Sequence, residues 1–324
     1  MKMNLRLLLL LLLPISLFSC KKGGDDAHDA EMRKLNAWIL VNNITVTPTA
    51  SGMYFIPVKE GTGEMPSDTS YIYYNYSLET LDGDIIESTE ISVADNWGFH
   101  KPTTHYTPGM FRMNSKMFTV IKGIHEAAML MKEGGRARLI LPSNLAFGSQ
   151  GFGSVLGGNT SIIVNLELYK VVNNIASYEK ELVYQYSEDS LPQPKESMEK
   201  GNIYYKKLIQ YPDSLLVADV AKEVRVYYIG RFLDGYIFDT NIKAVAEEAG
   251  IYNANKSYTP FSVTLESDAV VPAFEKVLLM MRKDEKFKLV TTSSFGYGEQ
   301  LNNPGIPPFS PLVFEITVDT LIKK

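Results

Sequence analysis

The feature that most constrains the fold of this chain is an internal duplication. Asp82-Gly83 recurs as Asp234-Gly235, 152 residues later. Val120-Ile121 recurs as Val270-Val271 and Phe147-Gly148 as Tyr297-Gly298, both at an offset of 150, and Gly52 recurs as Gly201 at 149. Four matches in unchanged order at nearly constant spacing mark a tandem repeat whose unit is about 120 residues, a domain rather than a solenoid repeat. A chain of 324 residues, 45% hydrophobic and 21% charged, has room for two such cores and is neither a disordered chain nor a polytopic membrane protein.

Each copy has the same plan. A short strand (Met53 to Val58, or Ile203 to Leu208) precedes an alternating aromatic and β-branched strand (Ser70 to Leu78, or Glu223 to Gly230). The Asp-Gly turn leads to a further strand. An irregular segment is expected over 89–109 and 241–258. One helix follows, with Val120, Ile121, Ile124, Ala127, Ala128 and Met131, or Val270, Val271, Phe274, Val277, Leu278 and Met281, at helical spacing. Gly134-Gly135 caps the first of these helices. Strands over Arg136 to Leu141 and Ser161 to Val171, or Phe287 to Thr292 and Leu312 to Leu321, close the copies. The predicted class is α+β: two modules, each an antiparallel sheet wrapped on one short helix. Helices are also expected over Asp29 to Asn42 and Ile175 to Tyr186, the second running into a proline-containing linker. The expected division is 1–19 signal peptide, 20–48 tether and N-terminal helix, 49–172 first module, 173–199 helix and linker, and 200–324 second module.

The N-terminus reads as an address. Lys2 and Arg6 precede the unbroken run Leu7 to Leu13, which Ile15, Leu17 and Phe18 extend. That stretch is too short to cross the roughly 30 Å of bilayer hydrocarbon and fits the apolar region of a signal peptide. Cys20, the lone cysteine, closes it in Leu17-Phe18-Ser19-Cys20. This resembles a bacterial lipobox, which implies acylation at Cys20, cleavage before it and a membrane held through lipid. Lys21 next to the cysteine favours the outer membrane.

The remaining composition excludes several chemistries. A net charge of −5 without a basic block argues against nucleic acid. One cysteine permits neither an intramolecular disulfide nor a cysteine zinc cluster. His28, His100, His105 and His125 show no metal-ligand spacing, and nucleophile-elbow and phosphate-loop motifs are absent. No cofactor or metal is expected. Any catalysis must come from an apolar pocket with positioned hydrogen bonds.

The second copy supplies such a set. Its segment Val226-Tyr227-Tyr228-Ile229-Gly230-Arg231-Phe232-Leu233-Asp234-Gly235-Tyr236-Ile237-Phe238-Asp239-Thr240 resembles the strand–turn–strand signature of the FKBP-type peptidyl-prolyl isomerases. The resemblance continues in order through Pro260-Phe261, Val270 to Phe274, Phe295-Gly296-Tyr297-Gly298, Ile306-Pro307-Pro308 and Leu312 to Ile316. It implies a proline pocket lined by Tyr228, Phe238, Phe261, Val270, Val271, Phe274, Ile306 and Phe314. Phe274 stands where the family usually has tryptophan. The resemblance also implies that the Tyr297 hydroxyl and the Val271 N–H donate to bound peptide, and that Asp239 meets Tyr228.

The first copy keeps Tyr76 and places Phe111 as a pocket phenylalanine. Glu87 replaces the aspartate, Ile124 the tryptophan, Phe147 the donor tyrosine and Val164 a phenylalanine, with Val120 and Ile121 retained at the helix start. The expectation is one fold with a weakened or lost pocket. The expected activity is therefore peptidyl-prolyl isomerisation in the second module, on Xaa-Pro segments of exported polypeptides in the cell envelope. The alternative is a non-catalytic chaperone or scaffold subunit of an envelope protein complex.

Overall fold

The computed structural model describes residues 23–115, 120–211, 216–217, 221–267, 269–300 and 305–323. Cys20 and the signal segment lie outside them. The first half runs α1 (Gly23–Val41), β1 (Tyr54–Lys59), β2 (Tyr71–Thr80), β3 (Ile85–Ser88), α2 (Ile91–Asn96), β4 (Gly109–Arg112), α3 (Lys122–Ala128), β5 (Arg136–Leu141) and β6 (Ile162–Val172). The second runs α4 (Ile175–Ser190), β7 (Glu196–Met198), β8 (Ile203–Ile209), β9 (Ala221–Phe232), β10 (Ile237–Thr240), α5 (Lys243–Glu248), β11 (Phe261–Thr264), α6 (Pro272–Leu279), β12 (Lys286–Thr291) and β13 (Leu312–Lys323).

The two sheets have one topology. The first is ordered β1-β5-β6-β2-β3 with β4 paired to β2, and the second β8-β12-β13-β9-β10 with β11 paired to β9 and β7 added beside β8. All these pairs are antiparallel. Register repeats as well: Tyr76 faces Leu166 and Leu78 faces Val164, as Tyr228 faces Ile316 and Gly230 faces Phe314. The structure is α+β, as its pattern predicts.

Strand alternation decides which side chains reach which core. Leu139 and Leu141 point into the cluster under α3, while Ile140 and Ile163 point to the opposite face and meet Leu35 and Ile39 of α1. In the second sheet Leu289 and Phe314 meet α6, while Val290 and Val313 meet Val183 of α4. A strand buried on both faces must be apolar at consecutive positions. Leu139 to Leu141 and Leu312 to Phe314 satisfy that.

Each long helix is also fixed by a buried carboxylate. Glu31 of α1 accepts hydrogen bonds from the Ser143 N–H and hydroxyl (both 2.6 Å) and from the Ser161 hydroxyl (2.7 Å). Glu179 of α4 accepts from the Ser293 N–H (2.6 Å) and hydroxyl (2.8 Å). Ser143 and Ser293 open matching short 3₁₀ turns. The duplication thus extends to the helix preceding each sheet.

Several expectations change: α1 begins at Gly23 rather than at Asp29, and α3 ends at Ala128 with Met129 as its C-cap, so Gly134-Gly135 does not cap it and the Gly134 N–H instead donates to the Leu168 carbonyl. The segments 89–109 and 241–258 are not wholly irregular, because each contains a short helix, α2 or α5, stopped by a glycine with positive φ (Gly98 at 73°, Gly250 at 70°). These segments are themselves repeated: the Tyr106 hydroxyl accepts from the Lys101 N–H, and the Tyr258 hydroxyl accepts from the Asn253 N–H. The linking helix is longer than Ile175 to Tyr186, since α4 continues to Ser190.

Burial pushes the Glu179 carboxyl up to about 7, against the pull of the Ser293 hydrogen bonds. A raised carboxyl holds a proton in the folded chain that the unfolded chain releases near pH 4.5. Its contribution to stability is full below that pH and is lost as pH rises through about 7. Chemical denaturation should show unfolding free energy falling by roughly 2 kcal/mol more between about pH 5 and 8 in the wild type than in Glu179→Gln.

Candidate active site

The second module carries a cleft of about 630 Å³ at the open end of its sheet. Its lining includes Tyr228 from β9, Phe238 and Asp239 from β10, Phe261 from β11, Val270 and Val271 ahead of α6, Phe274 on α6, Tyr297 after the 3₁₀ turn and Phe314 from β13. The structure therefore brings together every residue the sequence nominates except Ile306. Ile306 packs against the same core but is not part of the cleft wall.

The aromatic geometry follows from the elements. Phe274 sits near the start of α6, which is set by Pro272 at its first position. Its ring meets Tyr228 and Phe314 edge to face, with centroids at 6.2 and 5.5 Å. Phe238 stands edge to face against Phe314 at 6.0 Å. Gly230 makes room for it: a Cβ there would lie 2.6 Å from the Phe238 ring. Phe274 and Phe314 are buried, forming the floor, whereas Phe261 is 41% exposed at the mouth.

Polar groups occupy the rim. The Tyr228 hydroxyl donates to Asp239 Oδ2 at 2.6 Å. Burial, and then this hydrogen bond to a carboxylate, push the Tyr228 phenol far above its ordinary value. Burial and the nearby Asp239 charge also raise Tyr297, so both phenols stay protonated donors at neutral pH. Val271 caps α6 in extended conformation. Asn241 secures the frame from behind: its amide oxygen accepts from the Tyr228 N–H, and its amide nitrogen donates to the carbonyls of Val226 and Thr259.

Sequence reasoning misses the charged partner of Asp239. Lys256, in the loop before β11, ion-pairs with Asp239 Oδ1 across the rim. No motif announces it, because it lies 17 residues from its partner in a segment without regular periodicity. Glu275 and Gln300 also border the cleft without a sequence signal.

The first module repeats the frame with different contents. The Tyr76 hydroxyl donates to Glu87 Oε1 at 2.7 Å, matching Tyr228 and Asp239. Burial raises the Glu87 carboxyl even though that hydrogen bond pulls it down. Phe111 is not the counterpart of Phe261. Tyr74 pairs with Gly109 as Val226 pairs with Phe261, so Gly109 holds that place. Phe111 lies two residues further along β4, facing Ile72, and is 1% exposed.

The volume has been redistributed between partners. Tyr74 replaces Val226, stacking on Tyr76 (5.7 Å) and meeting Phe111 edge to face (5.5 Å). Only a glycine at 109 leaves space for that ring, since a Cβ there would come within 2.7 Å of it. Leu78 and Ile86 replace the Gly230 and Phe238 pair. Ile124 and Val164 are fully buried aliphatics where Phe274 and Phe314 stand, and Phe152 folds onto Phe147 at 4.7 Å. Phe147, Phe152, Val120 and Ile121 all pack against the module's own core.

A sequence model of FKBP-type peptidyl-prolyl cis-trans isomerase matches residues 63–169 and 217–319, more than half of the chain. The probable FKBP-type peptidyl-prolyl cis-trans isomerase FkpA of Neisseria meningitidis is 31% identical over 126 residues, 39% of this chain and 40% of that protein. Bovine peptidyl-prolyl cis-trans isomerase FKBP10 is 20% identical over 255 residues, 78% of this chain and 34% of the relative. The outer membrane protein MIP of Legionella longbeachae is 29% identical over 128 residues, 40% of this chain and 47% of the relative. The chain thus spans under half the length of each of these three.

The Lys256 pair is half-exposed, so it holds a loop rather than a fold. Lys256→Ala should speed amide exchange across 253–258 in mass spectrometry. It should change unfolding free energy by less than about 1 kcal/mol.

Proposed function

Because the chain belongs to the family of FKBP-type peptidyl-prolyl cis-trans isomerases, we propose that its second module turns Xaa-Pro bonds in the cleft between Phe238, Phe274 and Phe314. The observation carrying this reading is a polar rim over an aromatic floor, Asp239 hydrogen-bonded to Tyr228 above buried Phe274 and Phe314. Rotation about the imide breaks amide resonance, against a barrier of about 18–20 kcal/mol. The twisted imide has lost conjugation and is less polar than the planar one, so an apolar wall favours it over the better-hydrated ground state. No covalent intermediate is required.

The residues divide the work. Phe238, Phe274 and Phe314 receive the proline ring, with Val270 and Val271 on the helix side. Phe261 at the mouth covers the residue before proline. The Tyr297 hydroxyl and the Val271 N–H hold the carbonyls of the flanking peptide. Asp239, kept in place by Tyr228 and Lys256, faces the rotating carbonyl region. Ile306 stands beside the cleft as part of its support.

The first module has the same frame, but its own side chains occupy the corresponding space. We assign it a non-catalytic role. Cys20 carries the lipid, and the chain works at the envelope on exported polypeptides. Support comes from the Leu17 to Cys20 pattern, and one similar protein is named an outer membrane protein. Among the described residues no helix is long and apolar enough to cross a membrane.

A protease-coupled Xaa-Pro peptide assay on the full chain in detergent tests the activity. Turnover should exceed the buffer rate. Asp239→Ala combined with Tyr297→Phe should lower kcat/KM by about tenfold or more, and Glu87→Ala should change it by less than about twofold. Turnover at the buffer rate in a folded sample would overturn the reading. Phe274→Trp restores the larger ring at the cleft floor and should lower KM by about threefold. Labelled fatty acid should be incorporated by the wild type and not by Cys20→Ser.

A further inference from the structure

The loops before β4 and β11 are copies of one another, yet they reach different targets. In the second module Lys256 of this loop turns back to its own Asp239. In the first, Thr104 holds the lysine's place and His105 reaches across to the second module. The His105 ring stacks against those of Phe232 and Tyr236, nearly parallel to both, with centroids at 4.3 and 4.5 Å, and those two rings lie 6.2 Å from each other. Its Nε2 is 2.6 Å from Asp234 Oδ2, and its side chain is only 12% exposed.

The same turn is seated on a second point. Pro102 packs against Gly250 at the end of α5, closely enough that a Cβ on Gly250 would lie 2.8 Å from it. The Tyr236 hydroxyl donates to the Pro102 carbonyl at 3.4 Å. The Asp-Gly hairpin of the second module is therefore gripped by the first.

That hairpin carries a wall of the cleft. Phe232, stacked on His105, also packs against Phe238 at 5.2 Å, and Phe238 faces the cleft. A further contact touches the other side. Tyr71 of the first module meets Phe309 edge to face at 5.1 Å, and the Phe309 N–H donates to the Gly298 carbonyl, next to Tyr297.

We propose that the first module is a positioning device for the cleft of the second, with His105 fixing the wall ring Phe238 through Phe232. His105 is a positioning residue, since it touches nothing in the cleft itself. This inference rests on the assignment of turnover to the second module. It gives the first module a task that needs no pocket of its own, which fits a core that has closed over that space.

A ring stacked on Phe232 and Tyr236 together restricts their rotation, and a free Phe232 would let Phe238 leave its rotamer. Phe238 contacts the proline ring in both the planar and twisted states. Loosening it therefore weakens binding of both, raising KM more than it lowers kcat. Phenylalanine at 105 keeps the stacking and loses only the link to Asp234, whose side chain is half exposed and remains solvated.

The test uses the full chain, with His105→Ala and His105→Phe. Steady-state isomerisation of an Xaa-Pro peptide is read beside deuterium uptake across 231–240. His105→Ala should raise KM about three- to tenfold with kcat within about twofold of wild type. It should also speed uptake at 231–240, and His105→Phe should restore both readouts. Unchanged KM and uptake in His105→Ala overturn the proposal, as does failure of phenylalanine to rescue. If the wild type itself turns over no substrate, the catalytic reading falls separately and uptake alone decides: faster exchange rescued by phenylalanine supports the grip, and unchanged exchange overturns it.

Discussion

Two-sided burial of the central strands is the constraint on which the rest depends. Ile140 and Ile163, or Val290 and Val313, commit one face of each sheet to a long helix. The alternate positions, Leu139 and Leu141 or Leu289 and Phe314, commit the other face to a short one. With both faces covered, the short helix has little freedom to slide. Its first turn then meets the open end of the sheet at a fixed distance, and a hollow forms there whether or not it is used.

What fills the hollow is decided by side-chain volume, not by the backbone. Leu78 with Ile86 stands against Gly230 with Phe238, and Tyr74 with Gly109 against Val226 with Phe261. In each exchange one partner grows where the other shrinks, so ladders and registers remain the same. Close-packed interiors tolerate such paired changes and penalise single ones. One module consequently keeps an accessible aromatic cleft while the other closes the equivalent space with its own side chains. The acidic residue at the rim persists in both, bonded to its tyrosine.

Legibility from the sequence followed element length and periodicity. The strands β5, β6, β12 and β13 are plain because they run through several alternations or are apolar throughout. The helices α2 and α5 span six residues each, less than two turns, and show no period to read. Most of the cleft was legible because the motif residues are collinear and sit on regular strands. Lys256 was not, since its approach to Asp239 depends on a loop path. The misplacement of Phe111 has a visible remedy: Pro108 repeats as Pro260 at the 152-residue offset, which puts Gly109 at the place of Phe261. The His105 contact lies between modules, where no intramodular pattern reports it.

The buried carboxylate of α4 bears on where one module ends. Glu179 reaches the 3₁₀ turn of the second sheet, and Val183 covers Val290 and Val313. A recombinant piece begun after the prolines at 192 and 194 would shed this lid. It would open a greasy strip on the sheet's back and orphan the Ser293 amide. The segment between the sheets is thus less a spacer than the roof of the second module, and ancestral copying took roof and room together.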